Sequence, residues 1–153
     1  MNKKNLSLVL LFFCFLTGMV QAQQSDDKRM KIEITVKDGN KTVSALIRTA
    51  TFSYSKPANA DADGKDKYLT KNFYFALDFE KMNIPLLQAF TKNKNGIDGV
   101  ITMIDTYGKN PARKLEFTKA TLESFSDQLA ADYASAYFTI GSDTLIIDGV
   151  NVQ

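Results

Sequence analysis

The stretch from Phe73 to Phe90 restricts the possible folds of this chain more than any other part of it. In Phe73-Tyr74-Phe75-Ala76-Leu77-Asp78-Phe79 the large apolar residues recur at every second position. Successive strand side chains point to opposite faces, so Phe73, Phe75, Leu77 and Phe79 form one apolar face. The period then changes in Asn83-Ile84-Pro85-Leu86-Leu87-Gln88-Ala89-Phe90. Asn83 or Ile84 suits the N-cap, Pro85 fits the first helical position, and Leu86, Leu87 and Phe90 share one side. A single short helix, about Pro85–Phe90, amid strands must pack on a sheet or plug a barrel.

The start of the chain reads as an address. Lys3 and Lys4 precede an apolar run from Leu6 to Val20, and Val20-Gln21-Ala22 offers small residues for cleavage. Polar Gln23-Gln24-Ser25-Asp26-Asp27 follows at once, so the run is too short for a membrane span, and the mature chain has none. Cys14 is the only cysteine, and bulky Phe12 and Phe13 before it make a poor acylation site. The expected organisation is a signal peptide at 1–22, a flexible leader at 23–30 and one domain at 31–153. Without the leader, 17 basic residues balance 17 acidic ones. Such neutrality disfavours nucleic acid, whose binding rests on Lys and Arg neutralising phosphate. With no cysteine left, packing must hold the domain without disulfides.

Strand signals dominate the rest. Lys31-Ile32-Glu33-Ile34-Thr35-Val36-Lys37 alternates, and Asp38-Gly39-Asn40-Lys41 supplies a turn. From Val43 to Tyr54 the pattern places Ile47, Thr49 and Thr51 on one side and Leu46, Phe52 and Tyr54 on the other. That strand is expected to be covered on both faces, one of them by a neighbouring subunit. Ser55–Leu69 has no periodicity and reads as a long loop, of the kind used for contact. Lys92-Asn93-Lys94-Asn95-Gly96 closes the helix, and Gly99–Tyr107 is a further strand. Gly108–Pro111 turns the chain into Arg113–Thr118.

Ala120–Tyr133 supports two readings. Leu122, Phe125, Leu129 and Tyr133 fit helical spacing, whereas a bulge at Thr118-Lys119 would carry a strand onward through Ala120 and Leu122. The strand, with a hairpin loop near Asp127 to Ala131, is favoured because it lets a sheet close. Ser135–Ile140 and Thr144–Asp148 complete the strands, joined around Gly141-Ser142-Asp143.

Histidine is absent and the mature chain has no cysteine, which removes the commonest proton shuttle and the strongest thiolate nucleophile. Zinc and copper would be left with oxygen ligands alone, against their preferences. Asp78 and Glu80 share a strand face and form the one carboxylate pair worth weighing, but a solvated strand end explains Glu80 better. Asn59-Ala60-Asp61-Ala62-Asp63-Gly64 imitates the start of a calcium loop, yet the twelfth position is Thr70 instead of Glu. Gly64-Lys65 lacks the Ser/Thr and spacing of a phosphate loop. Lys65, Lys67 and Lys71 beside Tyr68 and Phe73 suggest a basic-aromatic patch, but Asp61, Asp63 and Asp66 cancel its field. Neither cofactor nor metal is expected, no residue is assigned a catalytic role, and the chain reads as a non-enzyme. The aromatics, Phe125 and Tyr137 among them, read mostly as core; Tyr74, opposite the Phe73 face, reads as an interface residue.

The order of elements resembles the Hcp family, the tube-forming proteins of type VI secretion systems, including their Bacteroidetes-type members. The resemblance is carried by Phe52-Ser53-Tyr54-Ser55 before the long loop, the alternating Asn72–Glu80 strand and Pro85–Phe90. Gly99–Asp105 and Leu115-Glu116-Phe117-Thr118-Lys119-Ala120 complete it, so that it spans about Lys31 to Val150. The resemblance implies a mainly β protein, a closed two-sheet β-barrel with one short helix at its side. It implies a homohexameric ring, stacking of rings through the Ser55–Leu69 loop, and other secretion components or effectors as further partners. Tube proteins of that family leave through the contractile machine without a cleavable signal. A chain with a leader is then an exported relative, periplasmic or secreted outside the cell, unless translation starts at Met30. The alternative is an exported monomeric β-module that binds a carbohydrate, peptide or protein partner.

Overall fold

The computed structural model describes residues 29–54 and 71–152. The signal peptide, the leader up to residue 28, the Ser55–Leu69 loop, the calcium-like Asn59–Gly64 run, Thr70, and Lys65, Lys67 and Tyr68 lie outside the described residues. Among the described residues nine strands and one helix follow in the order β1 (Met30–Asp38), β2 (Lys41–Ile47), β3 (Thr49–Tyr54), β4 (Phe73–Phe79), α1 (Ile84–Lys92), β5 (Ile97–Asp105), β6 (Arg113–Leu129), β7 (Ala134–Ser142), β8 (Thr144–Ile147) and β9 (Val150–Asn151). Only β9, a two-residue strand, has no counterpart in the sequence reading.

All ladders are antiparallel, and β6 belongs to two sheets. Its first half lies between β5 and β8, in a sheet ordered β2-β1-β5-β6-β8-β9. Its second half pairs only with β7, in a sheet ordered β6-β7-β4-β3. The favoured strand reading of Ala120–Leu129 is therefore correct, and the bulge falls where it was expected. Ile97 faces Ala120 and Gly99 faces Phe117, so Asp98 stands opposite both Thr118 and Lys119. Lys119 takes φ 50° there, and its N–H donates to Asp98 Oδ1 at 2.9 Å. Gly96 accommodates the bulge: a Cβ on it would lie 2.5 Å from the Lys119 carbonyl carbon and oxygen.

The closed barrel is not found. Among the described residues the path of hydrogen-bonded strands runs from β2 to β3 and no ladder joins its ends. The reason is local. The chain passes from β2 directly into β3 at a bend on Arg48, so the two strands lie end to end instead of side by side. The bend also switches faces. Ile47 is buried opposite Ile32, while Thr49 and Thr51 point outward with Asp78 and Ala76. Leu46 is exposed, whereas Phe52 turns inward with Phe75. The uninterrupted Val43–Tyr54 alternation was wrong by one residue.

Between the sheets, Phe73, Phe75, Leu77 and Phe79 are all buried, as their spacing requires. Full burial stabilises by roughly 1.5–3 kcal/mol per large apolar side chain, so this strand anchors the core. Phe75 meets Phe117 at a ring separation of 5.5 Å, and Phe79 meets Phe138 at 5.0 Å. Helix α1 begins at Asn83, whose Oδ1 accepts the Leu86 N–H at 2.9 Å and so caps an otherwise unpaired donor. It buries Leu86, Ala89 and Phe90 against β1, β2 and β6. Its last turn is fixed by Asn93 Nδ2, which donates to Ala89 O and to Asp38 Oδ1.

At the other end of β1, Arg29 and Met30 are already part of the fold. Arg29 O accepts from Thr106 N at 2.8 Å, and its guanidinium lies 3.4 Å from Asp105 Oδ2. Burial pushes the Asp105 carboxyl up, but donors from Tyr107 N–H, Arg29 and Asn110 outweigh it and hold the group below its ordinary value.

Candidate assembly surface

The second sheet ends in two bare edges. β4 sits at its middle, with Leu77 facing Phe138 of β7 on one side and Ala50 of β3 on the other. Beyond β3 no strand follows among the described residues, and five of its six residues are exposed. Within the single chain Thr49, Thr51 and Ser53 lie open on the outer face, the face left for a neighbouring subunit to cover. On the inner side, Phe52 and Tyr54 remain 45% and 62% exposed although they face the buried Phe75 and Phe73.

The opposite edge is the second half of β6. β5 reaches only to Ala120 and β8 only to Thr118, so from Glu123 to Leu129 every residue is exposed. Glu123 is a second bulge, since Leu122 faces Ile140 while Ser124 faces Thr139. The extra residue puts Phe125 on the inner side with Leu122, opposite Phe138. Asp127 and Leu129 follow on the same side, and Phe125 and Leu129 are 54% and 80% exposed. The hairpin closes past it, with Ala130 N–H donating to Tyr133 O at 2.9 Å. Phe125 and Tyr137 are thus not core, and the polar neighbours Ser124, Ser126, Asp127 and Gln128 were the signal that marked the edge.

Along the bend between β2 and β3 the unclosed seam leaves two recesses. A cleft of about 540 Å³ is lined on its apolar side by Ile32, Ile47, Phe79 and Met82, with Leu46 and Arg48 beside them. A smaller one of about 130 Å³ lies between the sheets, walled by Ala50, Phe52, Phe75, Ile101 and Leu115. Ile32 lines both.

Arg48 fixes the seam. Its backbone N–H donates to Asp78 O at 2.7 Å, and its Nε and Nη2 grip the Asp78 carboxylate at 2.8 and 2.7 Å. Nη2 also reaches Ser135 Oγ at 3.3 Å. Hydrogen bonding to Asp78 raises the guanidinium above its ordinary value. Asp78 is therefore a clamp on the chain crossing, committed bidentately to Arg48. Glu80 lies exposed past the end of β4. Tyr74 is half-buried on the outer face, between Ser53 and Gly141. Lys71 is bonded to Asp143 at 3.0 Å and to Lys119 O, while Phe73 is buried, so these two make no basic-aromatic patch. Among the described residues no three His, Cys, Asp or Glu side chains group to hold a metal, and no helix is long and apolar enough to cross a membrane.

No protein-family model matches the chain, and no curated protein matches its sequence. Solved structures do match in fold. Hcp1 from Flavobacterium johnsoniae aligns at 14% identity and TM-score 0.56, covering 80% of this chain and 98% of that one. Hcp1 from Salmonella typhimurium aligns at 11% identity and TM-score 0.57, covering 76% and 84%. The described two-sheet architecture, with β6 shared between the sheets and helix α1 packed at its side, is the Hcp-like fold.

Proposed function

We propose that this chain is an exported structural protein that assembles with copies of itself into a ring, in the manner of tube components, and does no catalysis. One observation carries the reading: among the described residues the second sheet has four strands and two bare edges. Its strands alternate in direction, so β3 and β6 run antiparallel to each other. A copy rotated about an axis along the strands then presents its β3 antiparallel to the first copy's β6. Each joint supplies backbone partners to two edges that would otherwise invite uncontrolled pairing. Such a head-to-tail contact closes into a ring when the rotation divides a full turn.

Six copies to a ring is what the resemblance to the Hcp family implies, and the likeness of fold to the Hcp1 proteins favours that resemblance. The Ser55–Leu69 loop follows β3 directly in sequence, which favours it for contact between stacked rings. A leader at 1–22 sends the folded domain to the periplasm or outside the cell, where secretion components or effectors become possible partners. Size-exclusion chromatography with light scattering of the purified protein tests this. Six times the protomer mass is expected, and a lone protomer at high concentration would overturn it. A lone protomer would leave the 540 Å³ cleft to the second reading, a monomeric module that binds a carbohydrate, peptide or protein.

A further inference from the structure

The two bare edges also differ in relief. On the inner side of the same sheet the β6 edge carries exposed Phe125 and Leu129 with Asp127 between them, whereas the β3 edge carries exposed Phe52 and Tyr54 beside two apolar recesses. Within one copy, a single row of paired residues runs Phe125–Phe138–Leu77–Ala50. Extending that row across a joint places Phe125 of one copy opposite Ala50 of the next. Ala50 is the smallest inward side chain on β3, and it lies at the mouth of the 130 Å³ recess. Leu129 is four residues farther along β6, or about 13 Å at the usual strand rise. Since β6 runs against β3, four residues lead back past Arg48 to the level of Leu46, which lines the larger cleft.

We infer that the tip of the β6–β7 hairpin is a plug for the seam of a second copy, with Phe125 entering the recess at Ala50 and Leu129 covering the cleft beside Leu46. This rests on the ring reading above and adds the register and the side chains that select the partner. The bend at Arg48 that keeps the sheet from closing on itself is, on this view, what opens the socket. The Arg48–Asp78 clamp holds the socket in shape before a partner arrives. Ala50 opposite Phe125 is a small-to-large match, which makes the contact sensitive to volume on both sides.

Cross-linking tests the register. In a Cys14→Ser background, Phe125→Cys with Ala50→Cys should oxidise to a covalent ladder of copies, because directly opposed strand residues bring their Cβ atoms within reach of a disulfide. Mixing the two single-cysteine variants should give covalent dimers and nothing larger. Ala50→Phe and Phe125→Ala, each alone, should raise the concentration needed for assembly by about tenfold or more. The double variant should recover much of it, which a purely structural role for either residue would not produce. Circular dichroism melts establish that each variant is folded. If the unaltered protein assembles but neither the ladder nor the loss appears, the plug is wrong and the ring reading stands. If the unaltered protein is a lone protomer, the ring reading fails and takes the plug with it.

Discussion

β4 and the second half of β6 lie two strands apart in one sheet and carry similar side chains, yet they have opposite fates. β4 is flanked by β3 and β7, and its four large inner residues are buried. Among the described residues the β6 segment is flanked by β7 alone, and its inner residues Phe125, Asp127 and Leu129 stay exposed. Position in the ladder, not hydrophobicity, decides which aromatic holds the fold and which is left for another molecule. Stability and assembly should therefore separate by mutation.

The largest effect is expected from the buried side. Phe75→Ala removes a ring in contact with Phe117 and should cost about 3–5 kcal/mol of unfolding free energy, read from urea denaturation. A loss below 1 kcal/mol would mean that the core does not rest on β4. Next comes Gly99→Ala, where a Cβ would lie 2.6 Å from Phe117 Cζ and 2.7 Å from Thr35 O. Overpacking of this kind costs roughly 1–3 kcal/mol, and the same denaturation measures it.

Most of this division was written in the sequence, but unevenly. The Phe73–Phe79 strand and the Asn83-capped helix are legible because each follows one unbroken period. Leu122, Phe125 and Leu129 mimic a helix because the bulge at Glu123 adds a residue to a two-residue repeat. A three-residue step on one face is what a bulged strand and a helix have in common. The turn of the chain at Arg48 left no such trace, since one inserted residue in a run of apolar and β-branched side chains looks like continued alternation. Closure of the barrel depends on which strands lie side by side, a property that no local period encodes. The candidate surface was hidden for the same reason: an aromatic on a strand looks like core until its neighbour is known to be missing.

Acid should act through two hydrogen-bonded aspartates, one buried and one exposed. Asp105 and Asp148 both have carboxyls held below the ordinary aspartate value of about 3.9. For Asp148 the main cause is the Lys114 N–H, with Arg113 adding to it against the cost of burial. A depressed group contributes stability that is complete above the unfolded value and is lost as pH falls through the folded one. Stability of the protein should therefore decline below about pH 4, and Asp105→Asn should flatten that decline. Thermal melts across pH 2 to 7 decide it, and an Asp105→Asn profile parallel to the original would remove Asp105 from the explanation.

The smallest expected effect on folding is the most informative one. Phe125 is 54% exposed and has its ring 6.5 Å from Phe138, so it contributes only part of what a fully buried ring would. Phe125→Ser should lower the unfolding free energy of the isolated protomer by about 1 kcal/mol or less. That is several times less than for Phe75→Ala, although both positions are phenylalanines on the inner side of one sheet. Both substitutions remove a phenylalanine ring from the inner side of one sheet, so most of their difference reports what the missing neighbour strand would have supplied. A Phe125→Ser protomer that loses as much stability as Phe75→Ala would place Phe125 in the core, and the bare edge would then have to be explained by something other than a waiting partner.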